Sequence, residues 1–221
     1  MIRALFLCLL LSGCMTVSPD APRYLALGDS YTIGEGVDAT DRWPVQLAAA
    51  LRQSGVEIAD PEILATTGWT TDELDAAITE AAPQGPYALV TLLIGVNDQY
   101  RGRDVERYRE RFAGLLDRAV GFADGDRQRV VVVSFPDWGQ TAFAGSDERS
   151  REQIAREVDA FNAAAQAVTE AAGIAWVDIT LLSRTQGQGA MTVGDDLHPN
   201  GEAYRAWTER ILPAARDALA E

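Results

Sequence analysis

Apolar residues along this chain alternate between short unbroken runs and longer stretches that repeat at helical spacing. Tyr24 to Leu27 is the first run of the body, stopped by Gly28, and reads as a strand. Pro44 to Gln53 reads as a helix, with proline near its start and Gly55 beyond its end. Val56 to Leu64 holds a second strand, which Pro61 makes irregular or confines to an edge. Asp72 to Ala82 follows as a helix capped by Thr70 or Thr71. Tyr87 to Ile94 is almost continuously apolar, the mark of a strand buried on both faces. Val105, Tyr108, Phe112, Leu115, Leu116 and Ala119 then recur at helical spacing. Val130 to Val133 is another buried run. Ile154, Val158, Phe161, Ala165 and Val168 line one side of a long helix that Gly173 ends. Ile174 to Ile179 reads as the last strand, and Tyr204, Trp207 and Ile211 belong to a closing helix.

Strand alternating with helix over a whole chain implies βαβ units and a mostly parallel sheet buried between helix layers. Right-handed crossovers produce that burial. Such sheets collect their functional residues at the carboxyl ends of the strands. Four loops qualify: Gly28-Asp29-Ser30, Thr67-Gly68-Trp69, Gly95-Val96-Asn97-Asp98, and Asp195-Asp196-Leu197-His198-Pro199 just before the closing helix. No repeat or second-domain linker interrupts the body, which runs from 24 to 221 as one domain of ordinary size.

Residues 1–13 have a different character. Arg3 supplies a positive start, Ala4 to Leu11 is an apolar run, and Ser12-Gly13 leads to Cys14. A run of eight is too short to span a bilayer, and it suits a signal-peptide core. Leu11-Ser12-Gly13-Cys14 resembles the bacterial lipobox, which implies lipidation of Cys14; an ordinary cleaved signal peptide is the alternative. Residues 14–23 then form a short tether with Pro19 and Pro22. The expectation is export to the cell envelope, with attachment to the membrane through the lipid alone.

Composition narrows the chemistry. The formal net charge is −14, which repels phosphate backbones and argues against a nucleic-acid partner. All 19 basic residues are arginine, so neither a Walker lysine nor Schiff-base chemistry is available. Both cysteines, Cys8 and Cys14, precede the body, leaving it without disulfides or thiolate metal sites. The single histidine, His198, rules out a zinc site built from several imidazoles.

Taken singly, the four loops have plain explanations: Gly28 and Gly68 as turn glycines, Ser30 and Asn97-Asp98 as caps, and His198 as a solvated residue before a first helical turn favoured by Pro199. Together they contain the parts of acyl transfer. A serine hydroxyl needs a base to take its proton, and imidazole suits that work near neutrality. Asp195, three residues before His198, lies within local reach to fix the imidazole tautomer. The Ser30 N–H, the Gly68 loop and the Asn97 amide would serve as donors to an oxyanion.

The ordered set Gly28-Asp29-Ser30, Gly68, Gly95-Val96-Asn97-Asp98 and Asp195-Asp196-Leu197-His198-Pro199 resembles the SGNH/GDSL hydrolases over residues 28 to 199. Leu27 to Val37 with Trp43-Pro44 also looks like a bacterial lysophospholipase-like branch. The resemblance implies an α/β fold of three layers, flavodoxin-like, with a five-stranded parallel sheet and no metal or organic cofactor. It implies Ser30 as nucleophile, Gly68 and Asn97 as oxyanion donors, and His198 with Asp195 completing the triad. One departure is Tyr31, where the family usually has leucine. The chain lacks both G-x-S-x-G and a G-x-G-x-x-G after a strand, so neither an α/β-hydrolase elbow nor a dinucleotide site competes.

Asp29 and Asp98 read as holders of loop backbone, and Asp196 as a solvated neighbour rather than a second triad acid. Trp69 reads as core packing. Trp138 and Phe143, in the stretch after the Val130–Val133 strand, either line an acyl pocket or anchor a long loop. The expected activity is hydrolysis of short acyl esters or lysophospholipids. Deacetylation of a surface polysaccharide and a non-catalytic binding protein on the same fold are the alternatives.

Overall fold

The computed structural model describes residues 18–186 and 191–220; the expected signal segment 1–13 and Cys14 lie outside them. Five parallel strands form one sheet: β1 (Tyr24–Gly28), β2 (Glu62–Ala65), β3 (Leu89–Leu93), β4 (Val130–Val133) and β5 (Ala175–Val177), in the order β2-β1-β3-β4-β5. Every residue of β1, β3 and β4 is buried, which is why their sequences run apolar without alternation. β2 and β5 are the edges and are partly exposed. Proline lacks the N–H a ladder needs, so the second strand begins only after Pro61, and Val56 to Asp60 stay irregular. The last strand is likewise shorter than its apolar run.

The helices are α1 (Ser30–Ile33), α2 (Trp43–Gln53), α3 (Thr71–Ala81), α4 (Val96–Tyr100), α5 (Val105–Phe122), α6 (Arg151–Ala171), α7 (Thr180–Gln186) and α8 (Gly201–Ala218). α2 packs on α8, while α5 packs on α3 and α6, giving helices on both faces of the sheet. This is the three-layer flavodoxin-like arrangement expected from the sequence. Thr70 is the α3 cap, in a reciprocal capping box with Glu73. The α8 cap is Asn200, whose side chain accepts from the N–H groups of Glu202 and Ala203. Pro199 therefore precedes the helix and pairs in an isolated bridge with Thr192. Among the described residues no helix is long and apolar enough to cross a membrane. The chain docks onto the body at Ala21, which is buried, and Pro22 O accepts from Ala59 N–H at 2.8 Å.

Candidate active site

The sheet changes winding direction between β1 and β3, and a crevice opens there beyond the strand ends. β1 delivers Gly28-Asp29-Ser30 to it. A Cβ on Gly28 would lie 2.2 Å from Thr32 Oγ1 and 2.5 Å from Leu93 O, so no larger residue fits this turn. Asp29 caps α1 by accepting the Tyr31 N–H on Oδ1 at 3.0 Å. Ser30 is thereby fixed as the first residue of α1, with 4% of its surface exposed.

β3 delivers Asn97 and Asp98 on α4. Asp98 is buried and accepts from Thr71 N–H and Thr71 Oγ1, each at 2.9 Å, and from Arg103 at 3.2 Å. These bonds join the α4 loop to the start of α3, the backbone-holding role expected of this residue. Asn97 Nδ2 donates to Trp69 O at 2.9 Å. An amide nitrogen carries two hydrogens, so one is left for a second acceptor. Gly68 sits between β2 and α3 at φ +87°, a conformation that disfavours any side chain. Trp69 packs half-buried against the core, as expected.

The loop before α8 carries the imidazole. Asp195 Oδ2 lies 2.6 Å from His198 Nδ1, and Asp195 Oδ1 accepts the backbone N–H groups of Leu197 and His198 at 2.9 Å each. A carboxylate accepting from Nδ1–H leaves Nε2 as the ring's bare nitrogen. Burial alone would raise the Asp195 carboxyl, but hydrogen bonds from the His198 ring and from these N–H groups outweigh it and hold the carboxyl below its ordinary value. Asp196 is exposed and in the left-handed region, and its carbonyl accepts from Phe143 N–H. The Tyr31 ring packs at 5.5 Å from the His198 ring and 6.0 Å from Trp207, so the residue in the usual leucine position backs the imidazole.

Ser30, Gly68, Asn97 and His198 all line one cleft of about 150 Å³. Four separated loops thus meet at one place. The cleft is also lined by Val96, Tyr100, Trp138, Phe143 and Leu197. Trp138 is buried, donates from Nε1 to Gln99 Oε1 at 2.8 Å, and meets Tyr100 and Phe143 at ring separations of 5.3 and 6.1 Å. The two readings of Trp138 are therefore compatible, since it anchors its loop and faces the cleft. Tyr100 was not singled out from sequence, although it lies two residues beyond the Asn97 block and is 44% exposed. Among the described residues no group of three or more His, Cys, Asp or Glu side chains is arranged for a metal. A hydroxyl, an oriented imidazole and amide donors around one apolar-walled cleft can carry out acyl transfer.

The fold and this constellation of loops define a three-layer, flavodoxin-like α/β architecture of the SGNH kind. Residues 26–206 match the model of the GDSL-like lipase/acylhydrolase family, and the chain belongs to that family. Membership makes it a hydrolase of ester substrates in the general sense. Among solved structures it is similar to TesA (TM-score 0.69, 22% identity, covering 89% of this chain and 99% of that one). It is also similar to an extracellular lipase from Streptomyces rimosus (0.65, 22%, 90% and 100%) and to phospholipase A1 from Streptomyces albidoflavus NA297 (0.64, 21%, 90% and 99%). These likenesses concern the fold. No curated protein matches the chain.

Proposed function

We propose that this protein hydrolyses carboxylic acyl esters, of short-chain or lysophospholipid type, with Ser30 as nucleophile, His198 as base and Asp195 as the group that orients it. The observation that carries the reading is the 2.6 Å contact from Asp195 Oδ2 to His198 Nδ1, in a loop that shares its cleft with Ser30. Ser30 Oγ attacks the ester carbonyl carbon as its proton passes to His198 Nε2. The carbonyl oxygen becomes negative and is met by the N–H groups of Ser30 and Gly68 and by the second hydrogen of Asn97 Nδ2. Collapse restores the carbonyl and expels the alcohol, which takes the proton from His198. Water then gives a proton to His198 and attacks the acyl-serine, and Ser30 departs with that proton. The apolar wall of Tyr100, Trp138 and Phe143 suits an aliphatic acyl group. Lipidated Cys14 tethers the domain at the envelope membrane, so ester-bearing lipids are within reach.

A graded series of p-nitrophenyl esters tests this proposal. The wild type turns over the series with a definite optimum in chain length, and Ser30→Ala lowers kcat by at least about a thousandfold. Turnover by Ser30→Ala at the wild-type rate contradicts it.

A further inference from the structure

Residues 67–71 are gripped from outside at nearly every position. Thr67 Oγ1 donates to Glu35 Oε2. Arg101 Nη2 donates to Gly68 O at 2.6 Å, and Asn97 Nδ2 donates to Trp69 O at 2.9 Å. Asn97 and Arg101 stand four residues apart, so their side chains share one side of the turn and reach two successive carbonyls. Arg101 Nη1 meanwhile donates to Glu73 Oε1 at 3.3 Å. The other oxygen of Glu73 accepts the Thr70 N–H and O–H at 2.8 and 2.9 Å. Burial alone would raise the Glu73 carboxyl, but these Thr70 bonds and the Arg101 guanidinium outweigh it and hold it below its ordinary value.

As an ion pair, Arg101–Glu73 is unremarkable, because the two side chains are 44% and 43% exposed and such pairs add little stability. The contact with Gly68 is different. Glycine has the loosest backbone of all residues, and a Cβ built on Gly68 would meet only Arg101 Nη2 within 4 Å among the described residues, at 3.7 Å. Packing does not hold Gly68 on that side; the guanidinium does.

We propose that Arg101 is a positioning residue for the oxyanion hole. It pins the Gly68 carbonyl while Asn97, on the short helix α4 that Arg101 ends, pins the next one, so the Gly68 N–H and the free Asn97 hydrogen stay aimed at one point. The inference rests on the roles given above to Ser30, Gly68 and Asn97. Donors fixed in advance need no reorganisation as charge develops, so loosening them acts on the transition state rather than on ground-state binding.

The test compares purified full-length wild type with Arg101→Gln, Arg101→Lys, Ser30→Ala and the control Arg118→Gln. Arg118 pairs with Asp75 on the same α3 helix, with Nη1 at 2.7 Å from Oδ1. In Arg101→Gln, kcat on a neutral p-nitrophenyl ester falls about tenfold, less than the 10²–10³ expected for deleting a donor outright, while KM stays within about twofold. Affinity for an alkyl boronic acid, whose adduct with a serine is tetrahedral, weakens by the same factor as kcat. Arg101→Lys falls between, because a single ammonium cannot span the Gly68 carbonyl and the Glu73 carboxylate as the fork does. Arg118→Gln matches wild type. Unchanged kcat and boronate affinity in Arg101→Gln, or a change confined to KM, overturns the inference. If that happens while Ser30→Ala is inactive, only the role of Arg101 falls; if Ser30→Ala stays active, the hydrolase reading beneath it falls as well.

Discussion

Beside the Ser30 hydroxyl, the carboxyl of Asp29 is completely buried, with Oδ1 accepting the Tyr31 N–H and Oδ2 lacking a partner among the described residues. The titratable groups around it are Asp98 on α4, Tyr31 on α1, Tyr108 on α5 and Tyr204 on α8, none of them a cation. Burial pushes the Asp29 carboxyl from 3.8 up to about 8, with Asp98 adding to the rise against the pull of the Tyr31 N–H. At neutral pH the carboxyl is therefore mostly protonated. A folded-state value above the unfolded one gives stability that is complete below the unfolded value and lost as pH rises through the folded one. Stability from this residue thus declines between roughly pH 4 and pH 8, by at most about 1.4 kcal/mol per unit. Asp29→Asn removes that component. Denaturant unfolding at a series of pH values should show the variant gaining on wild type across this window and running parallel below it. A flat difference from pH 4 to 8 contradicts a neutral Asp29.

At the scale of elements, legibility followed length. β1, α5 and α6 were readable because each carries enough residues to show a period, or a run buried on both sides. α1, α4 and α7 have four, five and seven residues, too few to show a repeat, and they were not anticipated. Two of these short helices hold the site, because α1 begins at Ser30 and α4 carries Asn97. The residues of the candidate site were legible as motif blocks at strand ends, since their chemistry demands particular side chains. Asp195 could be placed from its three-residue spacing to His198, and the 2.6 Å contact matches that placement. Arg101 and Tyr100 could not be found in this way. An exposed arginine looks solvated in sequence, and only the fold brings it to the Gly68 carbonyl. Trp138 was legible as a candidate, but not its Nε1 bond to Gln99 of α4, 39 residues away in sequence.

Across the whole molecule, strand order does the assembling. With β1 flanked by β2 and β3, three of the four motif loops leave neighbouring strands at the same edge, and the fourth returns from the chain's end to close the cleft. The body is strongly acidic and is repelled by anionic lipid, so the proposed attachment to a membrane rests on the lipid at Cys14 alone. Cys14→Ala should move the protein from the membrane to the soluble fraction; unchanged membrane association contradicts the lipid tether. The central claim is narrower, that His198 activates Ser30 in this cleft. A fluorophosphonate probe followed by peptide mass mapping tests it most directly. The account predicts one adduct, on the peptide containing Ser30, absent in Ser30→Ala and formed at least about a hundredfold more slowly in His198→Gln. An adduct on a different residue, or equal labelling rates in wild type and His198→Gln, would contradict it.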